Sequence, residues 1–231
     1  MARLARFVIS GHAMHVMVLG HNRETIFPQD EDRRVYLDWL RIAAKDFACQ
    51  VHAFALLPNY AHLLLTPSKE ESLARTMQSL GRRYAQYFNR QHRHTGTIWE
   101  GRFRSSLIDP QFFLQCQRFI ELTPVRVGLE SKPEDFRWTS YRDHIGGKGE
   151  GWLNDHPQFW ALGNTPFERQ LAWLNYVKEG VAPSEEKAIT EHIARSRPWL
   201  SPEFAASLFK NNPKLPLLSQ VIRPRGRPKK L

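Results

Sequence analysis

The chain has 231 residues, enough for one ordinary domain with a sizeable extension or for two small domains. Hydrophobic residues make up 42% and charged residues 24%, so a core can form, and no apolar run reaches the length of about 18 residues that a membrane-crossing helix needs. The net charge is +10, and two cysteines, Cys49 and Cys116, exclude a disulfide framework and a cysteine zinc cluster.

The apolar run at the start of the chain is broken by Ser10, His12 and His15 and lacks a small-residue cleavage site. No secretory signal is expected, and a soluble cytoplasmic protein is. Residues 13–19 read as a short strand. From Asp30 to Phe47, Val35, Trp39, Leu40, Ala43 and Phe47 recur at helical spacing. Residues 51–57 and 61–66 read as strands separated by the turn Pro58-Asn59-Tyr60. Pro67-Ser68 opens a long helix, with Ser68 and Glu71 in capping-box spacing and a stripe through Leu73, Met77, Leu80, Tyr84 and Tyr87 or Phe88. Residues 98–108 look extended, and Asp109-Pro110 starts a helix that should stop before Pro124.

Strand, helix, strand, strand, helix, strand, helix is the order of an α+β, ferredoxin-like βαββαβ arrangement followed by a helix, an antiparallel sheet with helices on one face. The division expected is a domain over residues 1–145, a glycine-rich linker at 146–151, a helical extension over 152–209 and a basic tail at 210–231.

The positive charge is concentrated. Arg82 to Arg104 holds six arginines against one acid, and Lys210 to Leu231 holds seven basic residues and no acid, so the remainder is slightly acidic. This is the footprint of a polyanion binder. Tyr84, Tyr87, Phe88, Trp99 and Phe103 lie among the first set, and arginines interleaved with aromatics suit phosphates plus stacked, unpaired bases. The competing reading is a solvated helix face whose aromatics point into the core.

Four stretches, VMVLGHNRETIF (16–27), LLPNYAHLLLTP (56–67), HTGTIWEGRFRSSLID (94–109) and RFIELTPVRVGL (118–129), resemble in order and spacing the blocks of the single-tyrosine HUH transposases, especially the REP-associated tyrosine transposases. The resemblance covers roughly residues 1–145. It implies a DNA-nicking and strand-transfer reaction: two histidines on a strand hold a divalent cation, Mg or Mn, and a helix-borne tyrosine becomes joined to the 5′ end of cut single-stranded DNA. The implied partners are hairpin or single-stranded DNA ends of repeated or mobile elements, with a homodimer and a nucleoid-associated location.

The sequence departs from that pattern at the reaction centre. The paired-histidine motif falls on Tyr60 and His62, so one ligand position holds a phenol. The nucleophile position is Phe119, whose ring has no oxygen, and the third-ligand position is Thr123, a weak donor. The expectation is a DNA-binding protein with impaired nicking. Cys116, Tyr84 and Tyr87 are the conceivable replacement nucleophiles, though the first reads better as a buried inert thiol and the tyrosines as core or base-stacking residues; His12, His15, His21 and His52 could approach His62, though a lone histidine is more often structural.

Arg82, Arg83, Arg90, Arg102 and Arg104 are the expected phosphate contacts, with Trp99 and Phe103 for stacking. In the tail, Arg225-Gly226-Arg227-Pro228 resembles the core of AT-hook peptides, which lie in the minor groove of A·T-rich duplex, with Lys229 and Lys230 on phosphates. A disordered basic tail is the plainer reading. An active transposase or nickase with an unconventional nucleophile and an RNA-hairpin-binding protein are the alternatives.

Overall fold

In the computed structural model, which describes residues 7–211, the first part of the chain runs β1 (Met14–Leu19), α1 (Asp30–Asp46), β2 (Cys49–Leu57), β3 (Tyr60–Pro67), α2 (Ser72–Gln91) and β4 (Arg104–Leu107). It continues through α3 (Phe113–Glu121), α4 (Thr123–Arg126), α5 (Tyr141–His144), α6 (Pro157–Trp160), α7 (Pro166–Lys178), α8 (Pro183–Ala194) and α9 (Pro202–Asn211). The four strands form one antiparallel sheet in the order β2-β3-β1-β4, the ferredoxin-like arrangement.

Side chains alternate across each strand, and here both sets are buried. Met14, Val16 and Val18 of β1 join Ala61, Leu63 and Leu65 of β3 in a core with Tyr36, Leu37 and Leu40 of α1 and Leu73, Met77, Leu80 and Tyr84 of α2. The opposite set, including Ala53, Ala55, Leu57 and Leu64, packs against Phe113, Cys116, Phe119 and Ile120 of α3 and Ile189 of α8. The two crossover helices therefore share one face, as the βαββαβ pattern requires. The other face, expected to carry no helix, is covered by α3 and α8. Burial on both sides is why 61–66 reads as a continuous apolar run with no alternation.

Two boundaries differ from the sequence expectation, and a third agrees with it. Pro67 stays in β3 opposite Cys49, and the Ser68 amide bonds to the Ala48 carbonyl, so α2 begins only at Ser72 and the Ser68–Glu71 box does not form. Strand β4 is confined to Arg104–Leu107. Residues 98–103 instead pass the end of β1 through a single bridge between Gly20 and Trp99, whose indole N–H donates to the Gly81 carbonyl of α2 at 3.1 Å. Asp109 caps a short 3₁₀ turn (Pro110–Phe112) ahead of α3, and helix resumes past Glu121 with Pro124 in the first turn of α4, where a missing N–H costs nothing.

The C-terminal helices pack into the same body. Glu121 of α3 is fully buried, its carboxylate accepting from Ser140 (2.7 Å), His144 Nδ1 (2.6 Å) and the indole of Trp173 on α7 (2.9 Å). Arg118 donates to the Tyr176 carbonyl and pairs with Glu185 at 2.8 Å, and Trp199 bridges Ile108 beyond β4. The glycine-rich stretch 146–151 is thus an exposed loop between parts that share buried side chains. Among the described residues no helix is long and apolar enough to cross a membrane.

Gly20 marks the tightest backbone approach near β1. A Cβ there would lie 2.2 Å from the Glu24 carbonyl oxygen and 2.9 Å from Ile26 Cγ2. Gly20→Ala should destabilise the chain by about 1–3 kcal/mol, read as a lowered urea midpoint, because the opposing atom is backbone and cannot rotate away.

Candidate functional site

The register of β1 against β3 sets Met17 opposite His62 and His15 opposite Leu64, so His15 and His62 are diagonal neighbours on one face. Their rings meet, with His15 Nε2 2.9 Å from His62 Nδ1, one nitrogen donating to the other. Tyr60, two residues before His62 on the same face, has its ring 5.3 Å away. Phe119 comes down from α3 edge-on to both imidazoles, 6.1 Å from His15 and 5.8 Å from His62. The structure thus brings Tyr60, His62 and Phe119 into one pocket.

Thr123 lies one turn beyond Phe119, and its hydroxyl donates to the Phe119 carbonyl at 2.9 Å. Arg126 closes the pocket. Its guanidinium carbon stands 3.8 Å from the centre of the Phe119 ring, one nitrogen donates to the Phe119 carbonyl at 3.1 Å, and two donate to Glu186 of α8 at 3.1 and 2.6 Å. Sequence reasoning missed Arg126. Its signal was present, since it lies inside RFIELTPVRVGL one helical turn past Thr123, but nothing local says that it folds back over residue 119.

Charge in the pocket follows from burial. His15 is fully buried, and burial, reinforced by the Arg126 cation, pushes its pKa down to about 3. His62 is lowered well below the usual histidine range by burial, then by His15 and Arg126. Both rings are therefore neutral near pH 7. Burial raises the Tyr60 phenol, with Arg126 opposing it in part, so its oxygen keeps its proton.

These donors do not fit the divalent cation that the family resemblance implies. His62 Nδ1 is engaged with His15, Tyr60 is a neutral phenol, the Thr123 hydroxyl is turned to a carbonyl, and the Arg126 guanidinium lies over the Phe119 ring. Among the described residues no group of three His, Cys, Asp or Glu side chains is placed to hold a metal.

The other candidate nucleophiles and histidines lie in different settings. Cys116 is fully buried, and burial followed by Glu185 pushes its thiol up, which makes it an inert core residue. Tyr84 is buried among α1 and α2, donates to the Ile26 carbonyl and is raised by burial; Tyr87, on the same helix, is raised to about 12 by burial and Asp32. That helix covers the sheet face opposite His62. His52 bonds to Thr66 and the Asn154 carbonyl, His12 packs on Phe204, and His21 is exposed.

Arg82, Arg83, Arg90 and Arg102 are exposed and make no salt bridge among the described residues, while Arg104 pairs with Glu100 at 2.9 Å. The first three project from α2, away from the histidine pocket. Arg104, which pairs with Met17 in the sheet, is the one expected phosphate contact on the His62 face. Trp99 and Phe103 are half-buried and line a cleft beside Arg82 and Arg102. The tail residues Arg225, Gly226, Arg227, Pro228, Lys229 and Lys230 lie outside the described residues.

Residues 8–122 match the family described as "Transposase IS200 like". Among solved structures, the chain is similar in fold to a REP-associated tyrosine transposase bound to a REP hairpin, at 18% identity and a TM-score of 0.52, covering 71% of this chain and 94% of that one. A candidate transposase of Deinococcus radiodurans aligns at 23% identity with a TM-score of 0.37, over 52% of this chain and 96% of that one. No curated protein matches.

A pH dependence follows from the buried imidazoles. His15 and His62 are neutral when folded but protonate near pH 6.5 when unfolded, so below that pH the unfolded state binds more protons and stability falls. His52 and His156, each lowered to about 4 by burial, add to the effect. His144 contributes oppositely: burial opposes its charge, yet Glu121 raises its pKa, so its stabilisation is complete below pH 6.5 and lost as pH rises through that raised value. Urea unfolding at pH 6.5 and 5.0 should show stability dropping by about 1.4 kcal/mol per pH unit for each neutral imidazole. Arg126→Gln should move the His62 ring titration upward in NMR.

Proposed function

We propose that this chain, whose residues 8–122 match the IS200-like transposase family, binds hairpin or single-stranded DNA ends of repeated elements with its nicking activity impaired. The observation that carries this reading is Phe119, a ring without an oxygen, standing against the His15–His62 pair at the position that the family resemblance gives to the nucleophilic tyrosine. A phenyl group cannot form a phosphotyrosine. Cys116 offers no substitute because it is sealed in the core, and Tyr84 and Tyr87 lie on α2, across the sheet from the His15–His62 pair.

DNA binding is supported by the exposed arginines of α2 and the loop before β4, Arg82, Arg83, Arg90 and Arg102, which make no salt bridge among the described residues. Fold similarity to a transposase bound to a REP hairpin favours a hairpin as the ligand. On this reading the chain acts at the nucleoid, and the Arg-Gly-Arg-Pro core of the tail adds contacts to A·T-rich duplex.

Incubated with labelled hairpin DNA and Mg²⁺ or Mn²⁺, the protein should bind without forming a covalent adduct. Tyr60→His together with Phe119→Tyr should regain adduct formation, and Phe119→Tyr alone should not. An adduct from the unaltered chain overturns the impaired reading, and a folded, DNA-binding double variant that stays silent counts against this placement of the site. Binding itself is checked by salt: Arg82→Ala with Arg83→Ala should reduce the slope of log affinity against log salt by about 1.5. A matched RNA hairpin that competes better than the DNA would redirect the reading to RNA.

A further inference from the structure

The hydrogen bond between His15 Nε2 and His62 Nδ1 places one shared proton between two rings and leaves each ring with one further nitrogen. That of His15, Nδ1, is sealed from solvent and has no partner among the described residues. That of His62, Nε2, makes no hydrogen bond there either, yet it is not sealed, although the residue is only 5% exposed. A buried imidazole thus keeps one open, unmatched nitrogen beside Tyr60, whose half-buried hydroxyl is also without a partner among the described residues.

The sealed atom decides where the proton of His62 sits. If a neutral His62 donated through Nδ1, a neutral His15 would carry its own proton on Nδ1, a buried N–H with no acceptor. If His15 donates through Nε2, the atom left unmatched is a lone pair, which native interiors tolerate more readily than an orphaned N–H. His15 is therefore the donor, His62 accepts at Nδ1, and the His62 proton is on Nε2. Protonation of either ring gives the same outcome. A metal-binding imidazole needs the reverse, a bare Nε2 and a partner that takes the proton at Nδ1. With Tyr60→His, metal binding itself would supply the free energy to reverse this setting.

We propose that His62 Nε2–H and the Tyr60 hydroxyl bind a phosphate oxygen of the DNA strand directly, with no metal between them, and that His15 is the positioning residue that keeps the proton on Nε2. Neutral N–H and O–H donors suit an anionic oxygen. The Arg126 cation acts on His15, Tyr60 and His62 alike, so it adds a favourable field while Phe119, Thr123 and Glu186 hold its guanidinium in place. Phe119 has no oxygen to attack the phosphorus, so the phosphate is held and not cut. The inference rests on the DNA-binding reading and adds to it a contact on the sheet face opposite α2.

The test uses the full chain. Proton–nitrogen correlation NMR of the imidazoles should show the shared proton bonded to His15 Nε2 and the His62 proton on Nε2; a proton bonded to His62 Nδ1 in a neutral ring overturns the assignment. A hairpin with a short single-stranded extension is then scanned with neutral methylphosphonates in EDTA. At one position the lost charge should weaken binding about tenfold, and in Tyr60→Phe that penalty should shrink to about threefold while the penalties elsewhere stay as they are, as expected for one lost hydrogen bond to that phosphate. Mg²⁺ at matched ionic strength should leave the affinity unchanged. Hairpin binding in which Tyr60→Phe alters no methylphosphonate penalty, or in which affinity requires Mg²⁺, overturns the direct phosphate contact and leaves the DNA-binding reading standing. Failure to bind any hairpin overturns both.

Discussion

The pairing of β1 with β3 places Met17 opposite His62, and most of the molecule's organisation follows from that register. It puts His15 within hydrogen-bond reach of His62 on one face and aligns Val16 and Leu63 on the other. A slip of β1 by one residue would exchange that strand's two faces, sending His15 into the core beneath α1 and α2 and away from His62. Burial of both faces makes such a slip costly, because each strand would lose an apolar partner set on either side.

The second face acquires its character from α3 and from the chain beyond it. Phe119 reaches the histidines because Phe113, Cys116 and Ile120 anchor α3 on Ala53, Ala55 and Leu64. Arg126 stays over Phe119 because Glu186 of α8 accepts two of its hydrogen bonds. Farther along, Glu121 joins Ser140, His144 and Trp173, and Arg118 joins Glu185. Buried charges of this kind add little net stability, but leaving one without its partner costs about 3–5 kcal/mol. Their effect is to hold the C-terminal helices in one position against the pocket.

Two kinds of surface result. Around His62 the groups are neutral or matched: histidines pair with each other, a phenol keeps its proton, and the Arg126 guanidinium is held by Glu186. Along α2 and the loop before β4 the arginines are exposed, and an aromatic cleft opens among them. The sheet lies between the two. The exposed arginine surface and the histidine cluster are therefore spatially separate in this chain.

Local sequence determined the elements whose signals are short-range. Helical spacing from Val35 to Phe47, the Pro58-Asn59 turn, the Asp109-Pro110 cap and the concentration of arginine after Gly81 all depend on neighbours within a few residues, and each was legible. The family resemblance also implied that Tyr60, His62 and Phe119 share a site, and their rings do lie side by side. Only tertiary structure decided the rest. That Pro67 extends β3 depends on Cys49 across the sheet, and that Trp99 leaves the strand depends on a carbonyl of α2 eighteen residues earlier. That His15 is the histidine beside His62, and that Arg126 covers Phe119, depends on strand register and on Glu186 sixty residues downstream. Such choices are settled by partners distant in sequence, and composition and periodicity, being local measures, cannot register them.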